Sequence, residues 1–354
     1  MQKTDIHLYF TKESLYAFFS QYNKIQKEGA DESMENIAHN DKVLFANQLY
    51  KLVMSESRIF LNINKANLLA IINTNPENSE AATFKKLVKS PKKVTCQEDA
   101  EYISLTSNES PYPHTIYVLN KNNEDCDKLA NEYGMIFLNK DTIWQKMNLL
   151  FSSSYWAVTG KTEIERRFTN WADIQPFKTP CNALILFDNY LLGNDDGDNL
   201  FSLLKNVLPS NCSKYPFHLT IIMENDKNDR RDIKTKPYFE RHVNKINEFL
   251  TKTFSYRVEF SLIVVKKGNH DRNILTNYVW LHSGSSFDFL DKKGKIKNTT
   301  ETQLILTPIT THGVKEMFHS LKNAALKNQD KKENEHVKQF VFSTSENFHN
   351  RLLS

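Results

Sequence analysis

The stretch Asn269-His270-Asp271-Arg272-Asn273-Ile274-Leu275-Thr276-Asn277 decides the fold of the C-terminal half of this chain, and Gly284-Ser285 follows it. Side chains alternate across the pleat of a β-strand, so a strand here places His270 and Arg272 on one face. An imidazole and a guanidinium that share a face can together bind one phosphate group. The stretch therefore predicts a strand that carries a phosphate-binding pair.

The intervals in this stretch match the phospholipase D pattern H-x-K-x4-D-x6-G-[GS], with Arg272 where lysine is usual and Asn277 where aspartate is usual. In enzymes with that pattern, one histidine attacks phosphorus, a second protonates the leaving oxygen, and lysines hold the equatorial oxygens. The first half of the chain lacks a second His-x-Lys segment. The resemblance implies that an active form would need a symmetric homodimer with two copies of His270.

Two substitutions separate the stretch from an active enzyme. A guanidinium binds phosphate as a fork, so Arg272 preserves that role. Asn277 is the more damaging change, because a carboxylate fixes the imidazole tautomer, and the analogous swap in a serine-protease triad costs about 10⁴ in rate. The candidate catalytic residues are His270, Arg272, Asn277 and Ser285. The candidate phosphate-binding residues are His270, Arg272, His282, Lys266 and Lys267.

Several separated positions resemble a more specific family, the phospholipase D-like C-terminal domain that follows MIT (microtubule interacting and transport) domains. The matching positions are His270-Asp271-Arg272, Ile274, Asn277, Trp280, Gly284 and Phe289. Upstream, Asp188-Asn189-Tyr190-Leu191 occupies the place of the family's D-P-Y-I, with Asn189 for proline and a polar loop at Gly193–Asp198. The resemblance covers about residues 181–310. It implies a degenerate phospholipase D-like fold that contacts membranes or acidic phosphate groups without turnover.

Residues 1–150 alternate between short apolar runs and amphipathic helical segments, which favours a parallel α/β sheet. Thr115–Leu119 and the segment after it faintly resemble a PIN-like nuclease, a class that gathers carboxylates at strand ends for metal-assisted hydrolysis. Strand Ile6–Phe10 contains no Asp, and Asn120-Lys121-Asn122 lies where a carboxylate is expected. We therefore expect an α/β interaction domain over these residues.

The remainder of the chain divides into three predicted segments. Residues 151–180 contain two prolines and are predicted to be a linker. Residues 181–312 are predicted to form the phospholipase D-like α-β-α sandwich, with strands at Ala183–Phe187 and near Ile274–Leu281. Residues 313–354 are predicted to be a helical, charged tail. The predicted fold class is thus α/β, in two α/β domains.

Other candidate sites fail on spacing, so we expect no metal and no cofactor. Gly160-Lys161-Thr162 is similar to the end of a P-loop, but Tyr155 stands where the earlier glycine is required. Asp195-Asp196-Gly197-Asp198 lacks the spaced ligands and closing Glu of a calcium loop. The four cysteines are far apart in sequence, which favours neither a zinc cage nor a disulfide framework; they are Cys96, Cys126, Cys181 and Cys212.

Composition sets the broad class. A net charge of +4 over 354 residues argues against broad, non-specific coating of nucleic acid, although a local basic patch is compatible with it. The first residues lack the apolar core of a signal peptide, and no run approaches the roughly 18 apolar residues that span a bilayer. We expect a cytoplasmic protein. The abundance of Lys and Asn and the unusual domain pairing further lead us to expect a prokaryotic source and a role in antiviral defence.

The functional expectation is phosphate recognition with little or no turnover, most plausibly of nucleic acid, as one component of a larger protein assembly. A basic rim is expected to assist; its members are Arg230, Arg231, Lys234, Lys236, Lys266 and Lys267. Membrane phospholipid is the other ligand that the resemblance implies. Two alternatives stay open: a homodimeric phosphodiesterase or nuclease that uses His270, and a protein-interaction scaffold in which His270 and Arg272 only stabilise a strand corner.

Overall fold

The computed structural model divides the chain into two compact units. Unit 1 comprises residues 1–130 and 135–152, and unit 2 comprises residues 131–134 and 153–354. The structure describes residues 5–31, 37–74, 78–89, 94–97, 111–161, 166–192, 198–225, 234–266, 272–291, 293–297, 300–311, 313–329, 339–346 and 348–353.

Unit 1 is built on a five-stranded parallel sheet, in the order β3-β2-β1-β4-β5. The strands are β1 (Ile6–Thr11), β2 (Ser57–Asn62), β3 (Val94–Gln97), β4 (Thr115–Leu119) and β5 (Ile136–Asn139). Every residue of β4 and β5 is buried, as expected for parallel strands whose two faces are covered by helices. The predicted parallel α/β arrangement of this part of the chain is confirmed.

Helices alternate with these strands. They are α1 (Lys12–Asp31), α2 (Ile37–Lys51), α3 (Lys65–Asn73), α4 (Ser79–Lys89), α5 (Asn123–Tyr133), α6 (Thr142–Gln145) and α7 (Met147–Phe151). A π-helical turn, Leu52–Glu56, continues α2 toward β2. The apolar stripe of α1 is buried, with Leu15 and Phe18 fully inaccessible, so this helix covers the sheet with one face.

Unit 2 is built on an eight-stranded mixed sheet, in the order β13-β9-β8-β7-β10-β11-β12-β6. The strands are β6 (Ser154–Thr159), β7 (Ala183–Phe187), β8 (Phe217–Glu224), β9 (Val258–Val265), β10 (Arg272–Thr276), β11 (Val279–Ser283), β12 (Glu301–Pro308) and β13 (Phe340–Ser343). Strands β7, β8 and β9 are parallel to one another, and the remaining pairings are antiparallel. The central strand β7 is a continuous apolar run and is buried throughout.

Both faces of this sheet are covered. One face packs alternate strand residues, such as Leu186 and Ile221, into a core with helices α8 (Asp198–Val207) and α9 (Lys236–Thr253). The opposite face carries the C-terminal 3-10 turn, where Asn350 donates to the Thr220 hydroxyl; helix α10 (Val314–Gln329) contacts that turn. Unit 2 therefore has three layers, and the α/β fold class predicted from the sequence is confirmed.

The structure differs from the predicted segments at three places. Residues 151–180 are not a linker, because β6 pairs with β12 and a 3-10 helix at Trp171–Phe177 buries Trp171 completely. Residues 313–354 are not a tail, since they supply α10 and strand β13 to unit 2. The strand predicted near Ile274–Leu281 is a hairpin, because the chain reverses at Asn277-Tyr278 between β10 and β11.

Candidate functional site

The candidate site lies at one end of the sheet of unit 2, where β7 ends and β10 begins. Asn273 pairs with Phe187 in the antiparallel ladder, and continuing that register by one residue brings Arg272 opposite Asp188. On its other side Arg272 pairs with Ser283, the last residue of β11. Three segments far apart in sequence therefore meet at one end of adjacent strands.

Alternation along the strands places Arg272 on the face that carries α8 and α9. Ile274, two residues after Arg272, belongs to the core on that face, as do Leu186 before Asp188 and Leu281 before Ser283. Side chains two residues apart on a strand point to the same face. Asp188, Arg272 and Ser283 therefore share one face at the end of the sheet.

Asp188 is the anchor of this site. Its side chain is buried, with 2% exposed, and its carboxylate accepts hydrogen bonds from Tyr190 N at 2.9 Å, Phe287 N at 2.6 Å and Ser286 Oγ at 2.8 Å. Burial raises the pKa of this carboxyl above its usual value, while these donors and the positive charge of Arg272 act in the opposite direction. A buried carboxylate with several donors is rigid.

Arg272 lies opposite Asp188 in the extended strand register and next to an aromatic ring. The carbon at the centre of its guanidinium lies 5.1 Å from the centroid of the Tyr190 ring, within the range of a cation–π contact. Tyr190 is itself fixed by the turn that Asp188 caps. Arg272 is half-buried as a residue, and its Nε has no exposed surface. The contact with Tyr190 restricts the position of the guanidinium at the end of the sheet.

The residues after β11 form a tightly packed loop that completes one wall of the site. A side chain at Gly284 would place its Cβ 2.9 Å from Thr302 Oγ1, so glycine permits this loop to approach β12. Ser285 N donates to Ser283 Oγ at 3.2 Å. The Ser285 hydroxyl is buried, and no residue in the described part of the chain hydrogen-bonds to it. The predicted glycine and serine therefore lie beside Arg272, although the role predicted for Ser285 stays a prediction.

A second set of polar contacts fixes the far side of the same loop. Asn199, at the start of α8, donates to the Asp288 carboxylate and to Leu290 O, and its own carbonyl accepts from Leu290 N. Lys297 Nζ lies 2.6 Å from the second Asp288 oxygen. Asn199 is 6% exposed, so these contacts are nearly free of solvent. The loop that donates to Asp188 is consequently anchored at both ends.

Asn277 does not lie beside Arg272. It follows the opposite end of β10, roughly 16 Å away for five residues of extended strand. Its Oδ1 accepts from Asn182 N at 2.9 Å and Ala183 N at 3.2 Å, and its Nδ2 donates to Asn182 Oδ1 at 3.0 Å. The side chain is fully buried. Asn277 joins the hairpin turn to the start of β7, and it is not positioned to orient an imidazole on the Arg272 face.

His282 also lies apart from Arg272. It pairs with Asn273, whose side chain points to the opposite face of the sheet from Arg272. Asn273 Oδ1 accepts from Trp280 Nε1 at 2.7 Å and is 3.2 Å from His282 Nδ1. This arrangement does not favour the predicted contribution of His282 to a phosphate site that contains Arg272, and that contribution stays a prediction.

Two lysines of the expected basic rim lie at the same end of the sheet. Lys266 is exposed and follows β9, and Lys234 is exposed and anchored at the end of β8 through Asn225, which bonds to both its backbone N and O. In a flat-sheet estimate, about 16 Å separates the Cα atoms of Lys266 and Arg272. His270, Lys267, Arg230 and Arg231 lie outside the described residues.

Glu224, the last residue of β8, is a second acidic residue at this end of the sheet. It contacts Asn189, in the turn that Asp188 caps. Its Oε2 accepts from Asn189 Nδ2 at 3.0 Å, and its backbone N donates to Asn189 Oδ1 at 2.9 Å. The position at which the resembled family has proline is thus occupied by a residue that joins two strand ends. Asn189 supports the turn by hydrogen bonds instead of by a rigid ring.

Sequence reasoning named Asp188 and Tyr190 only as part of a resemblance and missed Ser283 and Ser286 entirely. The signal for Asp188 was available, because a carboxylate that directly follows a wholly apolar strand lies at the end of a buried sheet strand. Ser286 had no such signal. Its partner is nearly a hundred residues earlier, and only the strand order brings the two together.

No protein-family model matches this chain, and no curated protein matches it by sequence. Within the described residues, no three His, Cys, Asp or Glu side chains are grouped so that they could hold a metal ion. No helix in the described part of the chain combines the length and apolar character needed to cross a bilayer.

Proposed function

We propose that unit 2 is a degenerate phospholipase D-like unit that recognises phosphate groups, chiefly those of nucleic acid, with little or no turnover. The observation that carries this proposal is the guanidinium of Arg272, held over Tyr190 at 5.1 Å beside the buried Asp188. The planar guanidinium of an arginine matches the geometry of a phosphate group and can donate hydrogen bonds to two of its oxygens.

Preorganisation supports binding. An unrestrained arginine loses up to about 2 kcal/mol of rotamer entropy when it is fixed. The ring of Tyr190 and the carboxylate of Asp188 already restrict Arg272, so less of that entropy is lost when an anion arrives. The same carboxylate reduces the net charge at the site, which weakens binding of an isolated phosphate and increases the need for further cations.

The further cations favour a polyanion. Lys266 and Lys234 are exposed at the same end of the sheet as Arg272. The separation of about 16 Å between Lys266 and Arg272 suits two non-adjacent phosphates of one strand better than a single phosphate. For this reason we favour nucleic acid over a phospholipid headgroup, and binding to anionic vesicles becomes an outcome that the experiment below distinguishes.

The position of Asn277 favours binding over catalysis. Phospholipase D chemistry needs a carboxylate or its equivalent near the imidazole, and Asn277 is fully engaged with Asn182 and Ala183 at the other end of β10. The homodimeric phosphodiesterase that uses His270 remains the alternative. Turnover of DNA, RNA or phospholipid that disappears in His270→Ala would establish that alternative.

The test measures binding of full-length protein to a fluorescently labelled single-stranded DNA, the matching RNA and phosphatidylserine vesicles, at several salt concentrations. Arg272→Gln should weaken binding to the preferred ligand about tenfold and, for a single strand, lower the salt slope by roughly 0.7, as expected when one phosphate contact is lost. The matched control is Arg241→Gln, which removes the same charge from an exposed position on α9.

Equal weakening by both arginine variants would contradict the proposal, because it would show a general charge effect. Binding only to vesicles would replace nucleic acid by phospholipid as the ligand. The predicted protein partners and the predicted role in prokaryotic antiviral defence stay predictions.

A further inference from the structure

Unit 1 contains a groove of about 600 Å³ between the outer faces of α1 and α4, with Tyr50 of α2 at its side. The lining residues of α4 recur at three- and four-residue intervals from Ser79 to Lys86, which select one face of that helix. The α1 lining residues, from Tyr16 to Glu28, cover more than one face, because Tyr22 and Lys24 are two residues apart. The volume falls within the range of small-molecule sites, roughly 300–1,000 Å³.

The two helices that form the groove are fixed at their beginnings. Tyr16 OH and Ser79 Oγ are 2.8 Å apart, and Lys12 Nζ lies 3.2 Å from Glu80 Oε1. From the Tyr16–Ser79 contact, Lys24 is about 12 Å along α1 and Lys86 is about 10 Å along α4, at the rise of an α-helix. The two lysines therefore stand at similar heights on opposite walls.

A pair of stacked tyrosines lines the same groove. The rings of Tyr22 and Tyr50 have centroids 4.3 Å apart and are inclined by 16°. Tyr22 OH donates to Asn47 Oδ1 at 3.0 Å, which fixes the outer end of its ring. Both rings are half-buried and line the groove. A planar, partly exposed aromatic pair is a stacking platform for another ring.

The charge of the groove is positive. Among the side chains that the structure describes, Lys24, Lys27 and Lys86 line it together with one carboxylate, Glu28. Lys24 Nζ and Glu28 Oε1 are 3.8 Å apart on side chains that are 66% and 43% exposed, so this ion pair is weak and an incoming anion can replace it.

We propose that this groove binds a nucleotide unit, with the base against Tyr22 and Tyr50 and the phosphate near Lys24, Lys27 and Lys86. Aromatic platforms combined with a positive groove are the elements by which proteins hold single nucleotides and single strands. An acidic peptide would use the charges and leave the tyrosine pair without a role. The inference concerns a different unit from Arg272 and does not rest on the function proposed for unit 2.

The test uses full-length protein that carries Arg272→Gln, so that the site proposed in unit 2 contributes little. The probe is a labelled twelve-residue oligothymidine, with AMP and oligoglutamate as competitors. The double variant Lys27→Gln, Lys86→Gln should weaken binding at least tenfold and reduce the salt slope by about 1.4, for two contacts to a single strand. The matched control is Lys85→Gln, Lys89→Gln, which removes the same charge from α4 outside the groove lining.

Photo-crosslinking provides an independent measurement of where the oligonucleotide binds. An oligonucleotide that contains 5-iodouracil should crosslink to Tyr22 or Tyr50, and the crosslink should persist in the Arg272→Gln background. Competition by AMP would identify a free nucleotide as sufficient, whereas binding of the oligomer alone would identify a single strand; either result supports the proposal. The proposal is overturned if neither the oligothymidine nor AMP binds, or if the two double variants weaken binding equally. It is also overturned if crosslinks form only at other residues, or if oligoglutamate competes as well as an unlabelled oligonucleotide.

Discussion

At the scale of single residues, the central feature is the coupling of Arg272 to Asp188. A buried carboxylate is unfavourable unless it is hydrogen-bonded and paired, and Asp188 has two backbone donors, one hydroxyl donor and a guanidinium nearby. The pair positions the arginine at the end of the sheet. Because Asp188 is buried and Arg272 is only half-buried, the arginine is the member of the pair that a ligand can reach.

The sequence predicted Arg272 correctly as a strand residue but misplaced its neighbours. Counting intervals from His270 grouped Asn277 and His282 with Arg272, because the spacing of a motif does not show where a strand reverses or to which face a side chain points. The hairpin places Asn277 at the far end of β10, and the pleat places His282 on the other face. Neither displacement can be read from spacing alone.

The first residue-scale prediction concerns Asn277→Asp, which restores the usual phospholipase D residue. The change replaces a donor by an oxygen opposite Asn182 Oδ1 in a fully buried site. We expect the free energy of unfolding to fall by about 2–4 kcal/mol, with no gain of phosphodiesterase activity. Urea unfolding and a phosphodiesterase assay check this. An active, undiminished Asn277→Asp protein would contradict our placement of Asn277.

The second residue-scale prediction concerns pH. Burial, and secondly the charge of Arg351, lowers the pKa of His218 to about 3, and Nδ1 accepts from Arg351 N at 3.1 Å. Although Glu259 lies 3.6 Å from Nε2, protonation of Nδ1 would break that hydrogen bond, so the imidazole is held neutral. The unfolded chain binds a proton below about pH 6.5, whereas the folded chain does not.

The stability contributed by neutral His218 is therefore present above pH 6.5 and is lost as the pH falls toward the folded pKa. Between pH 7 and pH 5 this loss amounts to about 2 kcal/mol of unfolding free energy. His218→Asn keeps an acceptor for Arg351 N and should lose about 2 kcal/mol less over the same interval. Urea unfolding at both pH values measures the difference, and parallel losses in the two proteins would show that His218 does not titrate as described.

At the scale of elements, the segment 153–180 is the largest departure from sequence-based expectation. Its two prolines resemble those of a linker, but one of them lies inside the 3-10 helix Trp171–Phe177. The helix begins with a capping box between Asn170 and Asp173. Trp171 packs against Phe168 and Phe289, at ring distances of 5.0 and 5.5 Å. Short strands and 3-10 turns are too short to show a periodic pattern in the sequence. Their structure in this segment is instead determined by tertiary contacts such as those of Trp171.

The strand β7 shows the opposite case. Ala183–Phe187 is a continuous apolar run, which predicts a strand buried on both faces, and it is the central strand of unit 2. The long helices α1 and α9 were equally evident from their apolar stripes. Helical periodicity and long apolar runs can be recognised in the sequence, whereas the order of strands in a sheet cannot.

The element-scale prediction is that Trp171→Ala lowers the free energy of unfolding by about 3–5 kcal/mol, the usual cost of removing a fully buried tryptophan. Gln175→Ala, at an exposed position on the same 3-10 helix whose amide donates to Asn206 O at 3.1 Å, should change it by no more than about 1 kcal/mol. Thermal or urea unfolding of the two variants provides the comparison. If Trp171→Ala were as stable as the natural chain, the described burial of Trp171 in the core of unit 2 would be contradicted.

At the scale of the whole molecule, the net charge is small, at +4, but positively charged side chains are grouped at particular places. In unit 2, Arg272, Lys234 and Lys266 come from three segments that are separated in sequence and converge because β7, β8 and β9 are parallel and β10 returns beside β7. In unit 1, three lysines converge on a groove between helices. Composition alone argued against nucleic-acid coating, and the structure is consistent with recognition at restricted positions instead.

The most direct test of the central claim is the Nε–Hε resonance of Arg272 in ¹⁵N-labelled full-length protein, assigned by its loss in Arg272→Gln. During titration with a short single-stranded oligonucleotide, we predict a saturable shift of this resonance, while that of the exposed Arg241 stays nearly constant. An Arg272 resonance that does not move at oligonucleotide concentrations sufficient for binding would contradict phosphate recognition at this site.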